Sequence, residues 1–313
     1  MGGDTAQLGS LADHGDAVIA RRAHYAEFYG DAPAPAGYGV VVGNCQAESL
    51  RLVIASDALP AVRIPAIHEL IADDAARLHR LLDGASFLVT QPVRDDYRGL
   101  PLGTAQLRGS LPAAAHVVTV PAVRFAGLHP FQAVLRLPAF PEDPPLVAYH
   151  DVRTVAAATG LAIPDALAPA AVHAIAEASR AELRRREALG LDVVASDLFD
   201  PVIDDLARTV NHPGNAVFLP LGERIVSALG APGTAVDPGR PILAAVRAPL
   251  EDWVVDAWNL DAEPRLDWIV AGETIPAAVV REAHLSYYAE RPALLAAVVE
   301  RMTPLLRTWA DAA

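Results

Sequence analysis

The sequence predicts an α/β fold: a small parallel, doubly wound sheet with a largely helical C-terminal part. Three observations lead there. The β-branched run Tyr38 to Val42 stops at Gly43 and gives way to helical spacing from Gln46. Further short apolar runs then alternate with helical stretches, as successive βα units require. From about Pro164 onward the apolar spacing turns helical.

Taken in order, residues 1–36 read as an N-terminal extension ending in the proline-punctuated stretch Asp31-Ala32-Pro33-Ala34-Pro35-Ala36. Residues 37–155 read as the α/β core. There Leu50, Val53 and Ile54 recur at i, i+3 and i+4, the spacing of one helix face. Ile67 to Leu82 carries Leu70, Ile71, Leu78, Leu81 and Leu82 at helical spacing, with Asp73 and Asp74 opposite. Ser86–Thr90 and His116–Val120 are two more short strands. Strand, tight turn and helix in this succession is the flavodoxin- or SGNH-like opening, with functional groups expected at the strand carboxyl ends.

Residues 156–313 read as the mostly helical part, contributing His212. Helices are expected at Val172–Leu189, Leu198–Thr209 and Ala216–Leu229, and a long one at Ala277–Trp309. The stretch Gly230–Pro249, rich in proline and glycine, reads as a connection.

The 313 residues are 52% hydrophobic and 20% charged, enough to bury a large core. Net charge is −13, from 25 basic and 38 acidic residues, and every basic side chain is an arginine. Such a balance argues against a nucleic-acid partner and against docking on anionic lipid. Any phosphate on a ligand must be held by arginine forks, backbone N–H groups or a helix N-terminus. With one cysteine, Cys45, there is no internal disulfide and no thiolate cluster for zinc, and no metal is expected. The first residues lack the pattern of a signal peptide, and Ala6 breaks the myristoylation pattern. No apolar run reaches the roughly 18 residues of a membrane span. A cytoplasmic, soluble protein without membrane insertion is the expectation; the oligomeric state is not indicated.

The sharpest local feature is Gly43-Asn44-Cys45-Gln46 at the first strand–helix turn. A helix N-terminus stabilises a thiolate through its dipole, and its N–H groups can hold an oxyanion. The amides of Asn44 and Gln46 add donors, against the alternative that Cys45 is simply a small buried apolar residue. A second feature, Thr90-Gln91-Pro92-Val93-Arg94-Asp95-Asp96-Tyr97-Arg98-Gly99, follows another strand and belongs on the same rim. Its arginines could clamp a phosphate or sugar, or its charges could merely pair in solvent. A base near neutrality would be a histidine, from His68, His129, His150 or His212. Of these His212 is the most suggestive, because Pro213 holds the residue before it extended. No glycine-rich dinucleotide loop, Walker loop or Gly-x-Ser-x-Gly elbow is present.

Val41-Val42-Gly43-Asn44-Cys45-Gln46, His68-Glu69-Leu70, the ten-residue block from Thr90 and Asn211-His212-Pro213 together resemble the WcbI family of polysaccharide biosynthesis proteins. The segment from Arg186 to Asp197 is similar to that family's lead-in to Asn-His-Pro, so the resemblance runs from about residue 38 to 230. It implies coenzyme A or acetyl-CoA as acyl donor and O-acetylation of a sugar hydroxyl in capsular or surface polysaccharide biosynthesis. Cys45 would then be the central reactive residue and His212 its base, with Asp96 as a further catalytic candidate. Gly43, Asn44, Gln46, His68, Gln91, Arg94, Asp95, Tyr97, Arg98 and Asn211 would line the site. Two rivals remain: a cysteine esterase or thioesterase using water as acceptor, and a non-catalytic carbohydrate- or nucleotide-binding protein.

Overall fold

The structure is a computed structural model and describes residues 18–310; the first half of the proposed N-terminal extension lies outside the described residues. By contacts the chain divides into two compact units, each assembled from separate stretches. The first comprises the residues up to Ala122 with Leu191–Val193 and Leu219–Pro238. The second comprises Val123–Gly190, Val194–Phe218 and the residues from Gly239, so 123–155 belong to it.

The first unit holds the parallel sheet. Strands β1 (Gly39–Val42), β2 (Ala61–Val62), β3 (Phe87–Thr90) and β4 (His116–Thr119) lie in the order β2-β1-β3-β4, every pair parallel. This is a doubly wound order with the crossover at β1 and β3. Both central strands are buried along their whole length, which is why they read as continuous apolar runs. Helix α1 (Ala26–Tyr29), within the stretch read as an extension, puts Phe28 into the same core as Val40, Leu78 and Leu88.

Helix α2 (Gln46–Ile54) follows β1 and buries Leu50, Val53 and Ile54. The expected helix Ile67–Leu82 is two elements: a 3₁₀ turn at Ile67–Glu69, then α3 (Ala72–Leu82). Leu70 and Ile71 between them are extended, and the Asp74 carboxylate accepts from Ile71 N at 3.4 Å, so helix restarts behind that cap. Leu78 and Leu82 are fully buried, each contributing about 1.5–3 kcal/mol. Helix α4 (Thr104–Arg108) precedes β4.

The second unit is helical with three small antiparallel sheets. Helices α5 (Val152–Thr159) and α6 (Pro169–Glu187) follow one another, and α6 ends in the buried carboxylate of Glu187. That carboxylate accepts from Ala195 N, Ser196 N and Ser196 Oγ at 2.7, 2.9 and 2.6 Å. The expected helix Leu198–Thr209 does not form. Short 3₁₀ turns at Ser196–Phe199 and Asp204–Leu206 flank Pro201, whose missing N–H and bulky ring disfavour a continuous helix here, and the segment ends in strand β7 (Ala207–Thr209), paired with β8 (His212–Pro213). Helix α7 (Asn215–Ala228) fits its expected span; its residues from Leu219 belong to the first unit. Beyond it, β9 (Val246–Arg247), β10 (Trp268–Val270) and β11 (Glu273–Ile275) form a sheet, with α8 (Asp252–Trp258) between the first two. Strands β5 (Gln132–Ala133) and β6 (His150–Asp151) pair in the remaining sheet. The expected single helix Ala277–Trp309 is broken into α9 (Ala277–Ala289) and α10 (Pro292–Ala310), because Pro292 starts the second and disfavours helix at the residue before it. Among the described residues no helix is long and apolar enough to cross a membrane.

Candidate functional site

At the carboxyl ends of β1 and β3 the chain builds a rigid turn from residues the sequence places side by side. The parallel register sets Val42 against Thr90, and Gln91 N continues the ladder to Val42 O at 3.0 Å. Gly43 and Gln91 therefore meet, and a Cβ at Gly43 would lie 2.5 Å from Gln91 Oε1, so only glycine admits this approach. The Gln91 amide braces the turn: Oε1 accepts from Asn44 N at 2.9 Å and Nε2 donates to Gln46 Oε1 at 3.0 Å. Gln46 and Gln91 are buried, and each meets the other's hydrogen-bonding need.

Asn44 caps α2. Its Oδ1 accepts from Gln46 N at 2.9 Å and its carbonyl from Ala47 N at 2.9 Å. The N–H groups of Gln46 and Ala47 are thus committed to Asn44. Because Oδ1 faces a backbone N–H, the Asn44 Nδ2 faces the other way. Cys45 follows in helical conformation (φ −54°, ψ −18°) and half-buried, at the positive end of the α2 dipole. Glu48 turns away and pairs with Arg51 at 2.7 Å and Arg63 at 3.0 Å.

Beside the turn is a cavity of about 360 Å³ whose wall includes Gly43, Asn44, Gln91, Arg94 and Tyr97, closed by Ile67 and Ala122. The loop carrying Arg94 is pinned from α4: Val93 N donates to Thr104 Oγ1 at 2.9 Å, and Gln106 Oε1 accepts from Asp96 N at 3.1 Å and Gly103 N at 2.9 Å. Asp96 and Arg98 adopt left-handed backbone (φ 52° and 57°), unusual for residues with side chains. The Asp96 carboxylate accepts from Gln106 Nε2 at 2.8 Å, which ties it to the loop's own framework. Arg98 reaches the His68 carbonyl, and His68 is half-buried. Arg94, Asp95, Asp96 and Arg98 are exposed, while Tyr97 packs partly on the core. The sequence reading passed over Thr104 and Gln106; the Gly-x-x-Gln spacing at Gly103 is a helix-start pattern that could have pointed to Gln106.

His212 and Asn211 belong to the second unit, at the β7–β8 turn. The Tyr149 hydroxyl bonds Thr209 Oγ1 at 2.8 Å and stands 3.4 Å from the His212 ring nitrogens, its ring edge-on to the imidazole. Thr209 in turn donates to Asn211 Oδ1 at 3.3 Å. Burial pushes the His212 pKa down to about 4; the Val246 carbonyl opposes this and Arg208 adds to it. The ring is neutral at pH 7, in the protonation state a general base needs. Of the other candidates, His129 lies between the carbonyls of Ala207 and Pro249 and His150 bonds Tyr288 Oη at 2.6 Å. Among the described residues no group of three or more His, Cys, Asp or Glu side chains is arranged to hold a metal ion.

Comparison with known proteins accords with this geometry. The profile described as "Polysaccharide biosynthesis enzyme WcbI" matches residues 38–234, well over half of the chain and spanning every motif above. No curated protein matches the chain. A solved structure of WcbI, described as a novel polysaccharide biosynthesis enzyme, superposes with a TM-score of 0.74 at 19% identity over 89% of this chain and 98% of that one. That structure is described as the native protein without a disulfide bond between coenzyme A and one of its cysteines. This chain belongs to the WcbI family of polysaccharide biosynthesis enzymes.

Proposed function

We propose that the protein is a coenzyme A-dependent O-acetyltransferase acting on a sugar hydroxyl in surface polysaccharide biosynthesis. One observation carries the reading. A cysteine stands at the N-terminal end of α2, next in the chain to Asn44, which with Gln91 and Arg94 walls a cavity at the carboxyl ends of a doubly wound sheet. The WcbI structure, described by reference to a coenzyme A–cysteine disulfide, supports a thiol carrier rather than a nucleoside triphosphate as the ligand.

Arg94 is the cation on this wall and suits a phosphate of the donor. The α2 dipole favours the Cys45 thiolate, and Asn44 Nδ2 is the side-chain donor suited to a developing oxyanion. In one route the Cys45 thiolate attacks the thioester carbonyl and expels coenzyme A thiolate. The sugar hydroxyl then attacks acyl-Cys45 as its proton passes to a base. In the other, the hydroxyl attacks the thioester directly and Cys45 only shapes the donor site. His212, neutral and held by Tyr149, is the proposed base in either route. Asp96, bonded to Gln106, is proposed to shape the loop.

Calorimetry with coenzyme A and acetyl-CoA on the wild type, Arg94→Ala and Cys45→Ala tests the reading. Micromolar binding that weakens about tenfold in Arg94→Ala supports it, the loss expected for one charge-assisted contact. No binding of either molecule to the wild type overturns it and brings the hydrolase and binding-protein readings forward.

A further inference from the structure

The second unit contains a cluster of arginines that the acyl-transfer reading does not use. Arg208 lies on β7, Arg247 on β9, and Arg265 just before β10. The backbone draws them together: Ala248 N donates to Arg208 O at 2.8 Å, Arg265 Nη2 donates to Ala248 O at 2.6 Å, and Leu250 and Arg265 exchange hydrogen bonds at 2.7 and 2.8 Å. Arg208 is only 5% exposed. Its Nη2 meets Asp205 at 3.0 Å and Asn215 Oδ1 at 3.3 Å, yet its Nε and Nη1 are buried with no partner among the described residues. The Nε atoms of Arg247 and Arg265 are likewise buried and unpartnered, and the Arg247 guanidinium makes no ion pair or hydrogen bond among the described residues.

Buried guanidinium donors are ordinarily satisfied, and three like charges repel one another unless something negative lies among them. Asp205 is the carboxylate bonded to the cluster; Asp204 contributes at longer range. Burial, together with Arg247, pushes both Arg208 and Arg265 below the ordinary arginine range, the mark of cations short of counter-charge. Gly214 packs against this corner: a Cβ there would lie 1.8 Å from the Asp205 carbonyl oxygen, 2.6 Å from the Asp205 carboxylate and 2.7 Å from Arg208 Nη1, so glycine lets the Asp205–Arg208 pair close up on the backbone.

We infer that Arg208, Arg247 and Arg265 form a binding site for a phosphate-type anion. Planar guanidinium forks on three separate strands and loops suit a tetrahedral oxyanion, whose oxygens accept from several donors at once. Two sources share this chemistry: a phosphate of coenzyme A and the phosphate of a nucleotide-linked sugar acceptor. The inference does not depend on the acyl-donor reading, because inorganic phosphate alone is a sufficient probe.

The test is calorimetry and thermal denaturation of the full chain with inorganic phosphate, comparing wild type, Arg247→Gln and Arg265→Gln. The half-buried Arg247 is chosen because its guanidinium makes no hydrogen bond or ion pair among the described residues; Arg208→Gln risks unfolding. The wild type is expected to bind phosphate and gain Tm. Arg247→Gln is expected to lose at least about tenfold in affinity while its phosphate-free Tm holds or rises, since a repulsive charge is removed. Absence of phosphate binding in the wild type overturns the site. So does undiminished binding in both variants, or a phosphate-free Tm that falls in Arg247→Gln without loss of affinity, which marks a purely structural arginine. Repeating the titration with coenzyme A, 3′-dephospho-coenzyme A and UDP-glucose separates the sources. Weakening confined to coenzyme A assigns the 3′-phosphate, weakening of both thiols the donor pyrophosphate, and weakening of UDP-glucose alone the acceptor. Failure of wild-type protein to bind coenzyme A while phosphate still binds would remove the acyl-donor reading and leave this site standing.

Discussion

Gln91 Nε2 donates to Gln46 Oε1 at 3.0 Å, and this buried amide pair locks the end of β3 to the first turn of α2 on either side of Cys45. The same Gln91 accepts from Asn44 N, so one side chain holds both flanks of the cysteine. Gln91→Leu strands the Asn44 N–H and the Gln46 carbonyl, and should destabilise the fold by about 2 kcal/mol or more in urea unfolding. Coenzyme A affinity should fall with it.

Gly43 and Gln91 are coupled through space. Gly43→Ala pushes a methyl into the Gln91 amide and should cost the brace; in a Gln91→Ala background the clash is gone, so the same substitution should cost less. A double-mutant cycle read by denaturation should give a coupling of about 1 kcal/mol or more. Strict additivity would show that the close approach is not what requires glycine.

The histidines set a pH signature. Burial pushes His129, His150 and His212 down to about 4, against 6.5 for the exposed side chain. Above pH 6.5 both the folded and unfolded forms are neutral and the groups are silent. As pH falls from 6.5 toward 4 only the unfolded chain takes up these protons, so stability is lost through that window and the loss levels off below it. Denaturation at pH 7 and pH 5 should differ by a few kcal/mol, and His212→Gln should flatten part of the slope. If His212 is the base, the acid limb of kcat/KM should lie well below 6.5. A limb at 6.5 would assign the base to an exposed histidine.

Glu187 ends α6 by gathering three donors from Ala195 and Ser196. Glu187→Ala leaves the two N–H groups and the hydroxyl without their acceptor and should destabilise by about 3 kcal/mol. Because Glu187 lies outside the Cys45 turn, coenzyme A affinity at 10 °C should be unchanged.

How much of this was legible in the sequence follows from what each feature depends on. β1 and β3 read directly, since strands buried on both faces are bare apolar runs; β4, largely uncovered, reads from its short β-branched run, and Gly43 marks the turn. The strand alternation placed the Gln91 block on the Cys45 rim before any register was known, because parallel strands present their carboxyl ends together. The Gln46–Gln91 bond was not legible, since it depends on the register Val42↔Thr90. Nor were the two- and three-residue strands of the second unit, which are too short to show a period. Arg208 looked like an ordinary arginine beside Ala207, and only its burial sets it apart. The helix expected at Leu198–Thr209 does not form because Pro201 removes a backbone donor where the apolar spacing alone is helical, and the chain there settles into two 3₁₀ turns.

The most direct test of the central claim is intact-mass spectrometry of the folded protein after exposure to coenzyme A disulfide. A single mixed disulfide at Cys45 is expected, formed as the thiolate attacks and expels one coenzyme A thiolate, and blocked by prior acetyl-CoA. A Cys45 that reacts with iodoacetamide yet takes up no coenzyme A, or takes it up equally in the presence of excess acetyl-CoA, would contradict the donor site at this turn.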